Sequence, residues 1–305
     1  MHIFLLQIFR YRCILISKRS RTDRNTRKVF TMKDIKEITE KLEQGVKDVF
    51  NSAEYMEYLS FMAKFHKYSF NNSLLIWMQK PDASHVAGYQ AWKKNFKRNV
   101  KKGEKGITIL APIPRKFKKE VVNENGETEE VEIDYTAFRA VTVFDISQTE
   151  GEAVPSHPCH ELEGEVENFD SLLEALKKIA PVPVGFEAIE GGANGYFHTV
   201  DKRIAVREGM SQAQTIKTLV HEISHAILHD REAGEEKEAD RHTKEVQAES
   251  VAYTVCSFLG LDTSDYSFGY VAGWSQGREV KELEKSMEVI RKTASQIIDT
   301  LEAAA

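Results

Sequence analysis

The sequence has few cysteines and no excess of positive charge, and both shortages narrow the class of protein. Its 305 residues include three cysteines, Cys13, Cys159 and Cys256, which are far apart and form no CxxC pair. This usage predicts reduced thiols in a cytoplasmic protein rather than a disulfide framework. The formal net charge is −5. Any contact with nucleic acid must therefore come from a local basic patch.

Long apolar runs are also missing after the first residues, and no internal repeat is visible. The opening stretch MHIFLLQIFRYRCILIS is apolar, but Arg10 and Arg12 interrupt it and it is too short to span a bilayer. No small-residue cleavage site follows, which argues against a secretory signal. We expect residues 1–31 to be a disordered or artefactual extension, with a weak membrane-surface anchor as the alternative. No other segment is predicted to span a membrane.

The order of the predicted elements indicates two domains of the α+β class, for which the chain is long enough. Residues 32–150 begin with apolar residues at helical spacing and continue into alternating, β-branched segments, which predict helices and then a small antiparallel sheet. One hairpin is expected to turn at Asn125-Gly126. Residues 151–168 are polar and acidic and are predicted to be a linker. Residues 169–305 are predicted to contain strands followed by a motif-bearing helix and further helices.

The second predicted domain contains HEISH, in which His221 and His225 lie four residues apart. On a helix this spacing lets two imidazoles converge on one metal ion, while Glu222 can take a proton from water. A zinc site needs a further protein ligand, and the next helix offers Glu245 and Glu249 on one face. The alternative is an ordinary amphipathic helix rich in histidine. The apolar residues around the motif favour the metal, because they bury the helix and its polar groups then need partners.

The first predicted domain contains a basic stretch, WKKNFKRNVKKGEKG, with seven lysines and arginines beside Trp92 and Phe96. Proteins that bind single strands need cations for the phosphates and flat side chains on which bases stack. By composition alone, a solvated face above two core aromatics is the favoured interpretation, and single-strand binding is the alternative that the resemblance given below supports. The candidate nucleic-acid-binding residues are Trp92, Lys93, Lys94, Lys97, Arg98, Lys101, Lys102 and Lys105.

Two stretches of the sequence resemble known families. Residues 169–275 resemble zincin metallopeptidases of the ImmA/IrrE type, with strands, an HExxH helix and then a helix bearing an acidic ligand. In that comparison AES stands where glutamate-type zincins place their third ligand, which implies that Glu249 binds zinc. Residues 52–150 resemble the N-terminal domain of ArdC-type antirestriction proteins, through SFNNSLLIWMQKPDASHVAGYQAWKKNFKRNVKKGEKGITILAPI and VTVFDISQTEG. That domain is described as binding single-stranded DNA.

Together the resemblances imply a zinc-dependent metallopeptidase-like antirestriction protein of a mobile element. Its implied cofactor is Zn²⁺, its catalytic base is Glu222, and its partners are single-stranded DNA and an unknown protein substrate. A DNA-binding antirestriction protein with a structural zinc site, which cuts no peptide, is the alternative. The spacing of His229 favours a role outside the ligand set. Tyr196 and His198 are candidate oxyanion stabilisers, and the hairpin 116–134 departs from the family as an elaboration.

Overall fold

The computed structural model describes residues 32–51, 54–122, 128–154, 169–230, 239–261 and 271–304. The predicted extension 1–31, the turn at Asn125-Gly126 and most of the predicted linker lie outside the described residues. Within the described ranges, we find no helix with the length and apolar character that a bilayer crossing requires.

The elements follow the predicted order of helices, strands, further strands and final helices. The first half contains α1 (Met32–Asn51), α2 (Glu54–Lys64), α3 (Phe70–Gln79), β1 (Val86–Gly88), α4 (Tyr89–Asn95), β2 (Arg98–Val100), β3 (Ile107–Val122), β4 (Thr128–Asp145) and β5 (Thr149–Gly151). The second half contains α5 (Phe169–Ile179), β6 (Val184–Glu187), β7 (Gly195–His198), β8 (Arg203–Arg207), α6 (Gln212–His229), α7 (Arg241–Phe258), α8 (Val271–Ser275) and α9 (Val280–Ala304). The predicted α+β class is confirmed.

The described strands form three small sheets. In the first sheet β4 lies between β1 and β3, and the β3–β4 pair runs antiparallel from Ile107 opposite Val143 to Val122 opposite Thr128. The predicted hairpin 116–134 is therefore the outer part of one continuous ribbon. In the second sheet β2 pairs with β5. In the third sheet β8 is central, parallel to β6 and antiparallel to β7.

One apolar core joins the helices of both halves of the chain. Leu59 and Met62 on α2 are fully buried in the same cluster as the apolar side chains of α6, α7 and α9. Burying a side chain of this size contributes about 1.5–3 kcal/mol. The α2–α7 contact is also polar, because Tyr55 Oη lies 2.9 Å from Ser250 Oγ. Helix α2 thus packs directly on α7, the helix that carries Glu245 and Glu249, while α1 and α3 pack against α9. Separate domains at 32–150 and 169–305 stay a prediction.

Candidate metal centre and cationic surface

Side-chain caps fix the starts of the two helices that carry the candidate metal ligands. Ser211 Oγ accepts a hydrogen bond from the backbone N–H of Gln214 at 3.3 Å, as expected for the first residue before α6. Asp240 Oδ1 accepts from the N–H of Thr243 at 3.0 Å at the start of α7. Each cap satisfies a backbone donor that the first helical turn leaves unpaired. The apolar side of α6 then packs in the core, and the motif histidines face α7.

His221, His225 and Glu245 form a compact group of metal-binding atoms. The two histidine Nε2 atoms lie 3.1 Å apart, and Glu245 Oε2 lies 3.7 Å from each of them. Two ligands that sit about 2.0–2.1 Å from a tetrahedral ion are separated by about 3.4 Å. Two imidazoles and one carboxylate are also a donor set that suits zinc and its neighbours in the first transition series. The residues present therefore fit a divalent metal.

Glu249, the expected third ligand, lies outside this group. Its Oε2 is 2.9 Å from Nδ1 of His221, on the side of the ring opposite Nε2. The two atoms are close enough for a hydrogen bond, but the geometry is poorly aligned and leaves Nδ1 without a hydrogen-bond partner. One imidazole directs its two nitrogens away from each other, so a group at Nδ1 cannot share an ion with Nε2. Glu245, one turn earlier on α7, thus lies where the resemblance implied Glu249 as the third ligand, and which of the two binds a metal stays a prediction.

Glu222 is buried beside the ligands, with 7% of its surface exposed. Burial raises the pKa of its carboxyl group, while the neighbouring His221 and His225 act in the opposite direction. Strand β7 covers it: the backbone N–H of Phe197 donates to the carboxylate. A side chain at Gly195 would collide with α6, because an added Cβ would lie 2.6 Å from Thr218 Cγ2. The raised pKa moves this group towards the range that a general base needs.

A chain of hydrogen bonds fixes the tautomer of His225. Gln247 Nε2 donates to Ser286 Oγ at 3.0 Å, and in this amide orientation Oε1 accepts from His229 Nε2 at 3.1 Å. Burial lowers the pKa of His229 to about 4, so the ring is neutral near pH 7 and its Nδ1 is an acceptor. His225 Nδ1 lies 3.0 Å away and donates to it. Nε2 of His225 is therefore left with a lone pair that faces the ligand group.

The two candidate oxyanion stabilisers are engaged elsewhere in the third sheet. The hydroxyl of Tyr196 donates to Glu187 and accepts from the Arg203 guanidinium at 2.7 Å. His198 Nδ1 lies 3.3 Å from Asp201 Oδ2 at the strand end. Neither side chain joins the metal-binding group found among the described residues. Their role in catalysis stays a prediction.

Trp92, predicted to stack on a base, is instead part of the interior. It is 0% exposed, and its Nε1 donates to the carbonyl oxygen of Phe144 at 2.8 Å. Its ring packs against those of His85 and Phe96. Basic residues surround it in the sequence, but on α4 they occupy the outer face while the indole faces inward. The indole therefore offers no face to a ligand.

The cations of the basic stretch divide into two groups. Arg98 is used within the fold, because its guanidinium donates to Thr149 Oγ1 at 2.7 Å and to backbone carbonyls of β5 and Glu152. Lys101 donates to Ser147 O at 2.9 Å, and Lys97 lies 3.4 Å from Glu152 Oε1. Four exposed lysines have no partner within the described part of the chain: Lys93, Lys94, Lys102 and Lys105. These four are called the free lysines below.

Tyr89 is an exposed aromatic residue that the sequence reasoning overlooked. It begins α4, one turn before Lys93, and is 50% exposed. Its ring touches Phe144 edge-on, with centroids 6.4 Å apart. An aromatic residue four positions before a lysine on a helix was the available signal. Tyr89 thus supplies the flat exposed side chain that Trp92 does not.

The β-sheet, the HExxH helix and the acidic helix after it define a metallopeptidase-like domain. Residues 178–256 match the family model of the IrrE N-terminal-like domain, Peptidase M78. Residues 25–144 match the model of the N-terminal domain of anti-restriction factor ArdC. The chain thus has the two-module architecture of an ArdC-type protein, as the resemblances in its sequence implied.

Similar proteins are found among curated sequences and among solved structures. An uncharacterized protein from Bacillus anthracis is 29% identical over 306 residues, which cover 88% of this chain and 51% of the relative. The chain therefore spans about half the length of the curated relative it matches. The Mn(II)-bound crystal structure of antirestriction protein ArdC from plasmid R388 has a TM-score of 0.51 at 18% identity, covering 89% of this chain and 98% of that one. Its metal-free structure has a TM-score of 0.48 at 22% identity, covering 78% and 85%. The Mn(II)-bound structure shares the fold of this chain.

Proposed function

We propose that the protein is a zinc-dependent peptidase of the ArdC type, with His221, His225 and Glu245 as zinc ligands and Glu222 as the base. The convergence of the three ligand atoms beside a buried glutamate carries this proposal. A purely structural site requires no carboxylate in that place. The Mn(II)-bound structure of ArdC is consistent with a divalent metal, and the donor set here favours zinc.

The chain's own residues have separate tasks in the proposed reaction. A zinc ion held here would supply Lewis-acid activation of water and of the scissile carbonyl. The Glu222 carboxylate takes the proton from water and delivers it to the nitrogen of the leaving amine. His225 keeps its Nε2 lone pair directed at the ligand group because His229 accepts from its other nitrogen. The Phe197 N–H, on β7, holds the carboxylate against the strand.

We also propose that the outer face of α4 and the loop after β2 bind single-stranded DNA. The free lysines would neutralise phosphates, and Tyr89 would stack on a base. This surface is supported by the exposed ring of Tyr89 and two of the free lysines on α4, with the other two in the loop after β2. The match to the N-terminal domain of anti-restriction factor ArdC fits a protein that acts on incoming DNA.

Glu222→Gln tests the peptidase proposal, because glutamine has nearly the same size but cannot accept the proton. We expect full zinc content and a fall in hydrolysis of about two to four orders of magnitude, measured on fluorescein-labelled casein. Glu174→Gln is the matched control, since it makes the same change at an exposed glutamate of α5, away from the ligand group. Equal casein cleavage by wild type and Glu222→Gln would exclude the base. Protection of DNA from a restriction enzyme by both proteins would show that the biological activity needs no proteolysis.

A further inference from the structure

A second group of metal-binding side chains lies away from the HExxH helix. His66 follows α2, and Asp299 and Glu302 lie three residues apart near the end of α9. One ligand atom from each residue lies within 4.8 Å of the other two. Clustered carboxylates are common on helices and do not by themselves indicate a metal site. The evidence for a site therefore comes from the buried histidine.

The tautomer of His66 is fixed by its own turn. Its Nδ1 lies 3.0 Å from the carbonyl oxygen of Ala63. A carbonyl oxygen can only accept a hydrogen bond, so Nδ1 carries the proton of the neutral ring and Nε2 carries the lone pair. The side chain is 4% exposed, and Nε2 is a buried polar atom without a hydrogen-bond partner. An acceptor buried in this way costs stability unless a cation or donor reaches it.

The position of His66 is held from several directions. The Arg291 guanidinium, on α9, donates to its backbone carbonyl oxygen at 2.9 Å. The ring of Phe258, on α7, meets the imidazole edge-on, with centroids 5.6 Å apart. Nε2 points at α9, where Asp299 Oδ1 lies 3.4 Å away. That is also about the separation of two ligands on one tetrahedral ion, as at the first site.

The surroundings already attract positive charge. Lys67 Nζ lies 3.0 Å from Glu302 Oε2 and 4.0 Å from Asp299 Oδ1. The lysine side chain is 59% exposed, so it has room to turn outward. Asp299 is half exposed, which leaves one side of the group open for water to complete a coordination shell. Water ligands are normal where the protein supplies three donors.

We propose that His66, Asp299 and Glu302 form a second site for a divalent transition-metal ion. One imidazole and two carboxylates suit zinc or manganese. The ion joins the segment after α2 to the end of α9, so its binding stabilises the packing of the first helices on the last one. It takes no part in the peptidase proposal, because its ligands come from other elements.

The test uses the full-length chain in the His225→Ala background, which removes a ligand of the first group. Metal-free protein is titrated with Zn²⁺ and, separately, Mn²⁺, and bound metal is counted by elemental analysis after dialysis. We expect one equivalent to remain in the background protein and to raise its melting temperature. Asp299→Asn and Glu302→Gln should each weaken that binding by more than about 100-fold, beyond the range for groups outside the ligand shell.

Two further variants separate a metal site from an ordinary ion pair. Lys67→Ala removes the competing cation, so the remaining zinc should bind more tightly. Glu174→Gln removes a similar exposed partner of a lysine, Lys177, and should leave metal binding unchanged. No metal in the His225→Ala protein, or equal binding by the Asp299→Asn protein, would overturn the proposal. Because the readout is metal content and melting temperature, failure of peptidase activity or DNA binding leaves the result interpretable.

Discussion

His229 Nε2 lies 3.1 Å from Gln247 Oε1, and this contact controls which nitrogen of His225 is available to a metal. The Gln247 amide determines which ring nitrogen of His229 carries the proton. His229 in turn determines which nitrogen of His225 carries the proton. Groups that orient a ligand in this way affect metal affinity by about 10–100-fold when they are removed. The influence of Gln247 on the site therefore passes through a neutral histidine that is not itself in the ligand group.

Replacing Gln247 with Ala should weaken zinc binding by about 10–100-fold, because His229 loses its acceptor and His225 is no longer held in one tautomer. Gln247→Glu keeps an acceptor at the same place, but its negative charge favours a protonated His229 whose Nδ1 cannot accept, so it should restore the affinity only in part. Competition with a chelator of known affinity measures both variants. Gln214→Ala is the control, since Gln214 forms a hydrogen bond on α6 with Thr218 instead. Equal zinc affinity of Gln247→Ala and wild type would contradict the influence of Gln247 on His225 through His229.

The choice between Glu245 and Glu249 has a direct test. Glu245→Ala removes a proposed ligand and should lower zinc affinity by more than about 100-fold, beyond the range for outer groups. Glu249→Gln keeps a polar group near His221 Nδ1 and should change affinity by less than about tenfold. Elemental analysis after dialysis against a chelator distinguishes the two. A metal-free Glu249→Gln protein beside a zinc-loaded Glu245→Ala protein would return the third ligand to the position that the sequence favoured.

Asp240 should make the stability of the chain depend on pH. Hydrogen bonds from Thr243 and the nearby Arg278 hold the pKa of its carboxyl group well below the usual range. A lowered folded-state pKa adds stability above the unfolded value of about 3.9, and that stability is lost as pH falls below it. Asp240→Asn keeps the cap but loses the charge. It should therefore be less stable than wild type at pH 7, by under about 1 kcal/mol at this half-exposed site, and the difference should shrink towards pH 3.

Urea denaturation at pH 7, 5 and 3 measures this dependence. Asp240→Ala also removes the helix cap and should cost about 0.5–2 kcal/mol at pH 7. Asp48→Asn serves as the control, because Asp48 is an exposed carboxylate within α1 and caps no helix. A constant difference between wild type and Asp240→Asn across these pH values would show that the charge of Asp240 contributes nothing to folding.

The sequence predicted most of the local structure and less of what depends on tertiary contacts. The HExxH spacing located His221 and His225 correctly on one helix, because helical periodicity is a local property. It could not choose between Glu245 and Glu249, which lie one turn apart on the same face of α7. The choice depends on how α7 packs against α6. The group around His66 was invisible for the same reason, since its members meet only when α9 packs beside α2.

Trp92 shows a related limit. Composition alone favours a solvated basic face above core aromatics, and it is the family resemblance that shifts the prediction to a stacking surface. The lysines do lie outside while the indole is buried. Which side of the seven-residue helix α4 faces inward depends on its packing against β1 and β4. The sequence does not predict that packing. Trp92→Ala should therefore destabilise the protein by about 3–5 kcal/mol, as expected for a large aromatic residue in a core. A thermal melt checks this, and an unchanged melting temperature would contradict the buried position.

The surface formed by Tyr89 and the free lysines should carry the binding of single-stranded DNA. Full-length protein is titrated with a fluorescent oligothymidine at several salt concentrations. Tyr89→Ala should cost about 1–3 kcal/mol of binding free energy if a base stacks on the ring, and Tyr89→Phe should restore it. Replacing all four free lysines with Ala should flatten the log–log salt dependence by about 0.7 for each phosphate contact that is lost.

Phe138→Ala and the pair Lys41→Ala with Lys47→Ala are matched controls, since these side chains are exposed elsewhere. Equal affinity and salt slope for the four-lysine variant and wild type would remove this surface from the DNA-binding proposal, and no affinity in wild type at low salt would end the proposal itself.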